Sequence, residues 1–407
     1  MASFPATLKT ASAEQRAFWC LLATSGTVAF SIFLGQVFAG LCFLLFAVAV
    51  WRRETKVRWP GVMWIATIFA VVAVASVLIG VDPHRLFDKA GKLLWFLLIP
   101  VTVSLVTTPA HAKLAVQAFA WGCGGVVLRV VVEHPFRAWR SPDPDFLHAL
   151  IDTGSMTQGQ VLMMGVVATL ALWLYSRPDD KGRRMLLLLL VAEVLASLVN
   201  FKRGSWFCTL VLAGVLLAVR TGWKVWVGAL VTLVIVACLP PVQARMGQLR
   251  GEFNVNGGGR LTMWCRIAPY LIEKYPMGVG YGSLTNKHMR EAYRRVEPNR
   301  NHLHANWAQV LVTTGWLGLG VYLAWMVRTL IDAIRAARLS RAGPADERVA
   351  AVIVLLLLAG LLLNGFVEYN FGDTELMLVY AVLMGLAAAL APRSRRSKST
   401  AGCTLCK

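Results

Sequence analysis

The chain has 407 residues, of which 57% are hydrophobic and 15% are charged, and its net charge is +20. A soluble domain is usually about 45–50% apolar and about 25% charged, so the composition excludes an ordinary soluble globular protein. The positive charge does not indicate a nucleic-acid partner, because most of the basic residues lie in short loops between apolar runs.

Apolar runs of roughly 17–22 residues recur along most of the chain, which is the length needed to cross ~30 Å of hydrocarbon. They predict an all-α polytopic membrane protein of about 12 transmembrane helices with one large periplasmic loop that contains short helices. The predicted helices lie at about 17–33, 36–51, 59–80, 91–107, 113–132, 158–176, 185–200, 205–219, 223–241, 306–327, 349–367 and 374–391. No cleavable signal peptide is predicted, because the first apolar region continues to Val50.

The distribution of charge predicts the orientation in the membrane. Segments on one side are rich in Lys and Arg, whereas the short loops on the other side are poor in them, which is the positive-inside pattern. The basic residues on the predicted cytoplasmic side are Arg52, Arg53, Lys56, Arg58, Arg177, Lys181, Arg183, Arg184, Arg328, Arg335, Arg338, Arg341, Arg348, Arg393, Arg395, Arg396 and Lys398. Both termini are therefore predicted to lie in the cytoplasm.

This orientation divides the chain into four parts. They are 1–241 with transmembrane helices 1–9, 242–303 as the large periplasmic loop, 304–392 with helices 10–12, and 393–407 as a basic cytoplasmic tail. The tail contains Cys403 and Cys406. A lone C-x-x-C pair is weak evidence for metal or redox chemistry.

The large loop is strongly basic, and a basic segment outside the membrane indicates an anionic ligand. Apolar residues at helical spacing predict an amphipathic helix from about 260 to 275, which Pro276 ends. Gly278, Gly280 and Gly282 follow in a turn of the kind that can expose backbone N–H groups to a phosphate. The alternative interpretation is a solubilising surface loop.

Three arginines are candidates for binding an anion at the outer face. Arg203 lies at an outer helix junction, Arg260 begins the predicted loop helix, and Arg266 follows on that helix. A guanidinium group presents a planar, permanently charged fork that fits phosphate oxygens. The alternatives are a snorkelling side chain at Arg203 and a plain surface charge at Arg260.

His302 and His304 lie where the loop re-enters the membrane, and a histidine there can accept a proton near neutral pH. On a helix, positions i and i+2 do not share a face, so the pair is a poor metal site. The aspartates of the outside loops form no evident cation cage. We therefore expect no metal and no cofactor.

Two glutamates have predicted supporting roles. Glu193 lies within a predicted membrane helix, where an ionisable residue indicates either an ion pair or a part in proton transfer or substrate positioning. Its expected partners are Arg129, Lys92 or Arg203. Glu368 lies near the outer end of the eleventh predicted helix and could orient His304 or an arginine.

Several motifs together resemble the O-antigen ligase/polymerase family of bacterial membrane glycosyltransferases. His304 is followed by Gly315 and Gly318 at the family's spacing. The other motifs that resemble the family are G-R-x-x-x-W at Gly259 to Trp264, P-x-G-x-G-x-G at Pro276 to Gly282, and the pair Arg203–Gly204. The resemblance covers about residues 195–325. Ala305 departs from the family, which usually has Asn, Ser or Gln directly after the histidine, and Asn306 or His302 would have to supply the missing hydrogen bond.

The resemblance implies transfer of O-antigen glycan from undecaprenyl diphosphate to lipid A-core at the periplasmic face. His304 is then the general base, and Arg203, Arg260 and Arg266 bind the diphosphate. No paired-carboxylate motif indicates a covalent intermediate, so a single inverting displacement is expected. The implied partners are the lipid-linked donor, the lipid A-core acceptor and membrane lipids, without nucleic acid.

Three alternatives stay open. An O-antigen polymerase and a protein O-oligosaccharyltransferase share the same motifs, but the compact chain with one large outer loop favours the ligase. A transporter of lipid-linked glycans is the alternative that is not an enzyme. The sequence shows no inverted repeat and no paired broken helices of the kind that transporters often have.

Overall fold

The structure, a computed structural model, is entirely helical over the residues that it describes. These are 11–141, 149, 154–180, 182–221, five single residues between 227 and 243, 254–296 and 301–391. The predicted helix at 223–241 and residues 242–253 fall almost wholly outside the described residues. The basic tail with Cys403 and Cys406 falls wholly outside them.

The described α-helices are numbered here in chain order. They are α1 Ala13–Thr27, α2 Ile32–Trp51, α3 Gly61–Leu78, α4 Leu86–Ala90, α5 Leu98–Leu105, α6 Pro109–Trp139, α7 Met156–Tyr175, α8 Gly182–Asn200, α9 Arg203–Thr221, α10 Arg260–Thr262, α11 Ala268–Lys274, α12 Asn286–Ala292, α13 Asn306–Leu339, α14 Ala345–Gly365 and α15 Thr374–Leu390. Seven helices of the described part are long and apolar enough to cross a membrane. An all-helical, multi-pass membrane protein is thus confirmed, and the total of about 12 spans stays a prediction.

Predicted and observed helix bounds differ most at four places. The helix predicted at 17–33 ends at Thr27, because Ser31 caps a new helix that begins at Ile32, and the helix predicted at 113–132 continues to Trp139. The prediction at 91–107 is divided into a 3₁₀ segment, Gly91–Leu97, and the short helix α5. The prediction that ends at 327 is too short, because α13 continues to Leu339. Arg328 was assigned to a loop, yet it is a good helix former and its Nε donates to Asp332 Oδ2 at 3.0 Å, one turn further along. A basic run can therefore continue a helix beyond its apolar stretch.

Close contacts between small residues bring the helices of the bundle together. A Cβ atom on Gly122 of α6 would collide with the carbonyl group of Gly26 on α1. Small residues at such crossings let helix backbones approach, and dispersion contacts then hold the helices in the membrane. Helices α7 and α15 lie at the centre, with almost every residue of α15 buried.

The segment that follows residue 254 forms a small helical unit with its own core. Met263, Ile267, Leu271, Leu284 and Met289 are among its buried side chains. Helix α10, a π turn at Met263–Ile267 and helix α11 follow one another without a break. This confirms the amphipathic helix predicted at about 260–275, which ends just before Pro276 as expected.

Helix α13 breaks sharply at Gly315, whose backbone has φ 70° and ψ −174°. The glycine-rich turn enters this break. The Val279 N–H donates to the Val312 carbonyl at 2.9 Å, and the Gly280 N–H donates to the Thr313 carbonyl at 3.1 Å. The turn thus satisfies carbonyl groups that the break removes from the helix ladder.

We expect Gly315→Ala to destabilise the protein. A Cβ atom there would lie 2.7 Å from the Pro276 carbonyl oxygen, and the left-handed φ disfavours an L-residue by about 1–2 kcal/mol. Thermal unfolding in detergent measures the loss. Gly320→Ala, on the same helix with open space around its Cβ position, is the matched control and should leave the melting temperature unchanged. Equal stability of both variants would contradict the proposed fit of the turn into the break.

The orientation predicted from charge can be tested by cysteine labelling in intact cells. Position 256 lies exposed in the small helical unit, and position 342 lies exposed at the opposite end of the bundle. In a background without native cysteines, an impermeant maleimide should label Asn256→Cys from outside and should label Ala342→Cys only after the cells are opened. The reverse pattern would contradict cytoplasmic termini.

Candidate active site

His304 lies in the short segment that leads into α13, and its backbone has a left-handed φ of 50°. Such a conformation is uncommon for a non-glycine residue and is held by neighbouring contacts. Leu303 supplies them, since its N–H donates to Gln309 Oε1 at 2.9 Å and its carbonyl accepts from Trp264 Nε1 at 2.9 Å. Ala305, on the other side, is fully buried in the core of the helical unit. The histidine is therefore fixed from both sides.

Glu368 comes from the loop between α14 and α15, which turns back into the bundle. Phe371 of this loop is fully buried and packs against Phe69 and Trp325. Phe69 lies about 13 Å along the helix from the last residue of α3, at 1.5 Å per residue, so the loop is recessed from that end of α3. Asn306 holds the loop, because its Oδ1 accepts from the Asn370 N–H at 2.9 Å and from the Phe371 N–H at 3.1 Å.

The carboxylate of Glu368 joins a histidine and an arginine. His304 Nδ1 lies 2.7 Å from Glu368 Oε1, and Arg260 Nη2 donates to Glu368 Oε2 at 2.7 Å. The side chains of His304 and Glu368 are each 8% exposed, whereas that of Arg260 is 21% exposed. The arginine thus lies at the more accessible edge of the site.

This arrangement determines the charge state of the glutamate. Burial raises the pKa of Glu368, but the hydrogen bond and charge of His304 and the charge and hydrogen bond of Arg260 outweigh burial and lower the pKa below its ordinary value. Glu368 is therefore ionised at neutral pH, and its contacts are lost only when pH falls through that lowered pKa. An ionised carboxylate only accepts, so His304 donates from Nδ1 and, when neutral, carries its lone pair on Nε2.

His302 lies beside His304, with ring centroids 4.3 Å apart, and its Nδ1 lies 3.0 Å from Asn301 Oδ1. The argument that the two histidines cannot share a face assumed a helix, and it is wrong here because α13 begins only at Asn306. Ligand atoms of His302, His304 and Glu368 lie within 4.8 Å of one another, a geometry that can hold a cation. The expectation of a metal-free site thus stays a prediction that needs a chelator test.

The other two arginines lie at different distances from this centre. Arg203 begins α9, and the next residue, Gly204, packs against Asn364 and Val367. The Asn364 carbonyl accepts from the Glu368 N–H at 2.9 Å, which places the start of α9 beside the turn that carries the glutamate. Arg266 is exposed on the π turn, away from the buried core of the unit.

Glu193 does not form the ion pairs predicted with Arg129 or Lys92. It is fully buried on α8 against Gly165 of α7, and both carboxylate oxygens lack a hydrogen-bond partner among the described residues. Arg129 pairs with Glu133, and the Lys92 ammonium group donates to the Gly372 carbonyl at 3.2 Å. The predicted pairs with Arg129 and Lys92 are therefore wrong, because each cation bonds to another group.

The glycine turn also has a different role from that predicted. The amides of Gly278, Val279 and Gly280 all donate to protein carbonyls. They are therefore not presented to a phosphate, and the interpretation of the turn as an anion cradle is wrong for these positions. Gly278, Gly280 and Gly282 all have positive φ, and a Cβ atom on Gly278 would lie 2.5 Å from the Thr313 carbonyl. Gly278 is required by close backbone packing against the break in α13, and the positive φ at Gly280 and Gly282 favours glycine there.

Three residues that position the groups of the site had no role predicted from the sequence. Gln309 and Trp264 position Leu303, and Asn370 connects Asn306 to the Tyr380 hydroxyl, which donates to Asn370 Oδ1 at 3.1 Å. Trp264 belongs to a motif that the sequence does show. Asn370 and Gln309 are buried polar residues beside apolar runs, and only the fold reveals what they bind.

Comparison with known proteins agrees with the motifs. The family model described as O-antigen ligase matches residues 186–323, which include Arg203, Arg260 and His304. The predicted family resemblance is thus confirmed over this segment. A solved structure described as "Structural coordination of polymerization and crosslinking by a peptidoglycan synthase complex" aligns with 81% of this chain and 96% of that chain, at 14% identity and a TM-score of 0.41. Likeness at that level supports no functional statement, and no curated protein matches the sequence.

Proposed function

We propose that this multi-pass membrane protein, which carries an O-antigen ligase-family segment at residues 186–323, transfers O-antigen glycan from undecaprenyl diphosphate to lipid A-core on the periplasmic face of the bacterial inner membrane. The observation that carries the proposal is the chain of contacts from Arg260 through Glu368 to His304. It combines a phosphate-binding cation and an oriented base in one recessed site.

The chemistry follows from the orientation of the histidine. His304 Nε2 removes the proton from an acceptor hydroxyl, whose oxygen attacks the anomeric carbon as the carbon–oxygen bond to the diphosphate breaks. The electron pair leaves with undecaprenyl diphosphate, and the single displacement inverts the anomeric centre. Glu368 stabilises the imidazolium that forms, as a carboxylate does in other carboxylate–histidine pairs.

The leaving group gathers negative charge on its phosphate oxygens. Arg260 supplies fixed positive charge for these oxygens, together with Arg203 beside the same turn and with Arg266, which is exposed on the π turn. Guanidinium groups bind phosphate oxygens in a bidentate manner, and partial shielding from water strengthens the interaction. No step of this displacement requires a metal ion.

An apolar groove of the protein lies next to the site and can hold the lipid part of the donor. A cavity of about 240 Å³ runs between α13 and α14, and its lining includes Asn306, Trp307, Met326, Leu362 and Phe366. Asn306 also holds the loop that carries Glu368. A polyprenyl chain in this groove would place its diphosphate at the site while the chain stays among apolar side chains.

A reconstituted assay tests the proposal. Purified protein in proteoliposomes receives labelled undecaprenyl-diphosphate-linked glycan together with lipid A-core, a second lipid-linked glycan unit or a pilin-like peptide. We expect label on lipid A-core. Label on lengthened glycan would instead indicate a polymerase, label on peptide an oligosaccharyltransferase, and movement of unreacted donor across the bilayer a transporter.

A further inference from the structure

A second polar cavity lies apart from the His304 site. Its volume is about 460 Å³, within the range of about 300–1,000 Å³ that is usual for ligand pockets. It lies between the end of α1, the last turns of α6 and the first turns of α7 and α15. We call it the side cavity. Its polar lining includes Arg129, Glu133, His134, Arg137, Gln158 and Glu375.

The polar groups of the side cavity are held in place by one another. Glu133 forms ion pairs with both Arg129 and Arg137, one turn away on either side. Gln158 Oε1 accepts from the Ser155 N–H at 3.2 Å and lies 3.1 Å from His134 Nε2. Because that oxygen only accepts, His134 donates from Nε2, and Nδ1 is left as an acceptor.

His134 Nδ1 has no hydrogen-bond partner among the described residues, and the histidine is 1% exposed. Because that nitrogen has almost no accessible surface, a ligand in the cavity would contact the neighbouring polar groups and not Nδ1 itself. The cavity presents fixed amide, carboxylate and guanidinium groups. Its two carboxylates and two guanidinium groups balance in charge, unlike the basic centre around Arg260.

A balanced set of donors and acceptors fits hydroxyl groups, which both donate and accept, better than it fits a bare anion. The cavity also has an apolar edge, formed by Val28, Ala29, Phe30 and Ile32. Ile32 and the adjoining Phe33 are 44% and 71% exposed on the surface of a helix that can span the membrane. A ligand at this boundary would have a sugar part in the cavity and an apolar part in the lipid.

The side cavity connects to the candidate active site through the loop that carries Glu368. The Thr157 hydroxyl at the start of α7 donates to Asp373 Oδ2 at 2.9 Å, and Asp373 ends that loop. Glu368 and Asp373 are close in sequence, and their Cα atoms can be no more than about 18 Å apart. An oligosaccharide can span that distance.

We propose that the side cavity binds sugar hydroxyl groups of the glycolipid acceptor and presents the acceptor's distal sugar to His304. This inference rests on the proposed glycan transfer and assigns its second substrate to a separate part of the fold. Transfer to lipid A-core by the wild-type protein is the condition for the test. Absence of this transfer would overturn the proposed function, whereas the variants Arg137→Gln and Glu375→Gln test the side cavity alone.

The test uses Arg137→Gln and Glu375→Gln, two changes that keep side-chain size close to the original. We expect each to raise the KM for lipid A-core by about tenfold, while the KM for the donor and kcat at saturating acceptor stay within about twofold. Arg183→Gln is the control, because Arg183 lies over Trp173 at the opposite end of the bundle. An unchanged acceptor KM in both variants would overturn the proposal, and an increase in donor KM alone would assign the cavity to the donor glycan.

Photo-crosslinking provides a measurement that does not depend on activity. A photoreactive amino acid in place of Arg137 should capture labelled lipid A-core in proteoliposomes, and excess soluble core oligosaccharide should prevent the capture. The same amino acid in place of Arg183 should capture none. Equal capture at both positions, or capture that the soluble oligosaccharide does not reduce, would overturn the assignment.

Discussion

Replacing Arg260 by alanine is expected to lower kcat/KM for glycan transfer by about 10- to 100-fold or more. Loss of a charge-assisted bond to a diphosphate costs about 1.5–3 kcal/mol, and partial shielding from water raises the cost. The change also removes one of the two side chains whose interactions lower the pKa of Glu368. Arg260→Lys should restore little activity, because an ammonium group cannot reproduce the planar fork. Steady-state transfer rates of the purified proteins measure both effects.

Arg290→Ala is the matched control for this experiment. Arg290 lies exposed on α12 of the same helical unit, so its removal changes the net charge equally without touching the site. Arg203→Ala should resemble Arg260→Ala, because the start of α9 packs beside the turn of Glu368. Wild-type activity in Arg260→Ala would exclude Arg260 from donor binding, whatever its contact with Glu368.

The sequence predicted much of the membrane architecture because the physical signal there is local. A run such as Gly61–Leu78 has no charged residue and the length of a bilayer, so its helix could be placed from composition alone. The end of α11 was also predicted from a local signal, because Pro276 follows shortly after the last helical residue. Helix ends beyond the apolar run were less predictable, because Arg328 and Asp332 extend α13 through a contact between side chains.

The candidate site was only partly predictable, because its decisive contacts join distant parts of the chain. Glu368 lies outside the segment that matches the family model, yet it contacts both His304 and Arg260. The glycine turn was misinterpreted for a related reason. A glycine turn that binds phosphate and a glycine turn that packs against a neighbouring backbone have the same sequence pattern. Here the Thr313 carbonyl lies against Gly278, which only the folded structure shows.

Replacing His304 by alanine is expected to lower kcat by about 10²–10⁴ while changing donor affinity little. The histidine is proposed to act on the acceptor hydroxyl, so its loss removes proton transfer and leaves the arginines in place. Glu368→Gln should lower kcat less than His304→Ala, because the amide can still accept from His304 Nδ1 but supplies no charge to the imidazolium. Turnover at saturating donor, with donor binding measured separately, distinguishes the two effects.

His302→Ala is the comparison that locates the base. The two rings lie 4.3 Å apart, and the Nδ1 atom of His304 lies 2.7 Å from Glu368 Oε1, so a base at His304 predicts the milder effect for His302→Ala. An inactive His302→Ala beside an active His304→Ala would move the base two residues earlier.

Each protein is also assayed with EDTA, because His302, His304 and Glu368 lie close enough to hold a cation. We expect EDTA to leave wild-type turnover unchanged, since the arginines supply the charge that a metal would otherwise provide. Loss of activity in EDTA, with recovery on adding a divalent metal, would make the two histidines ligands and would refute the displacement proposed for this site.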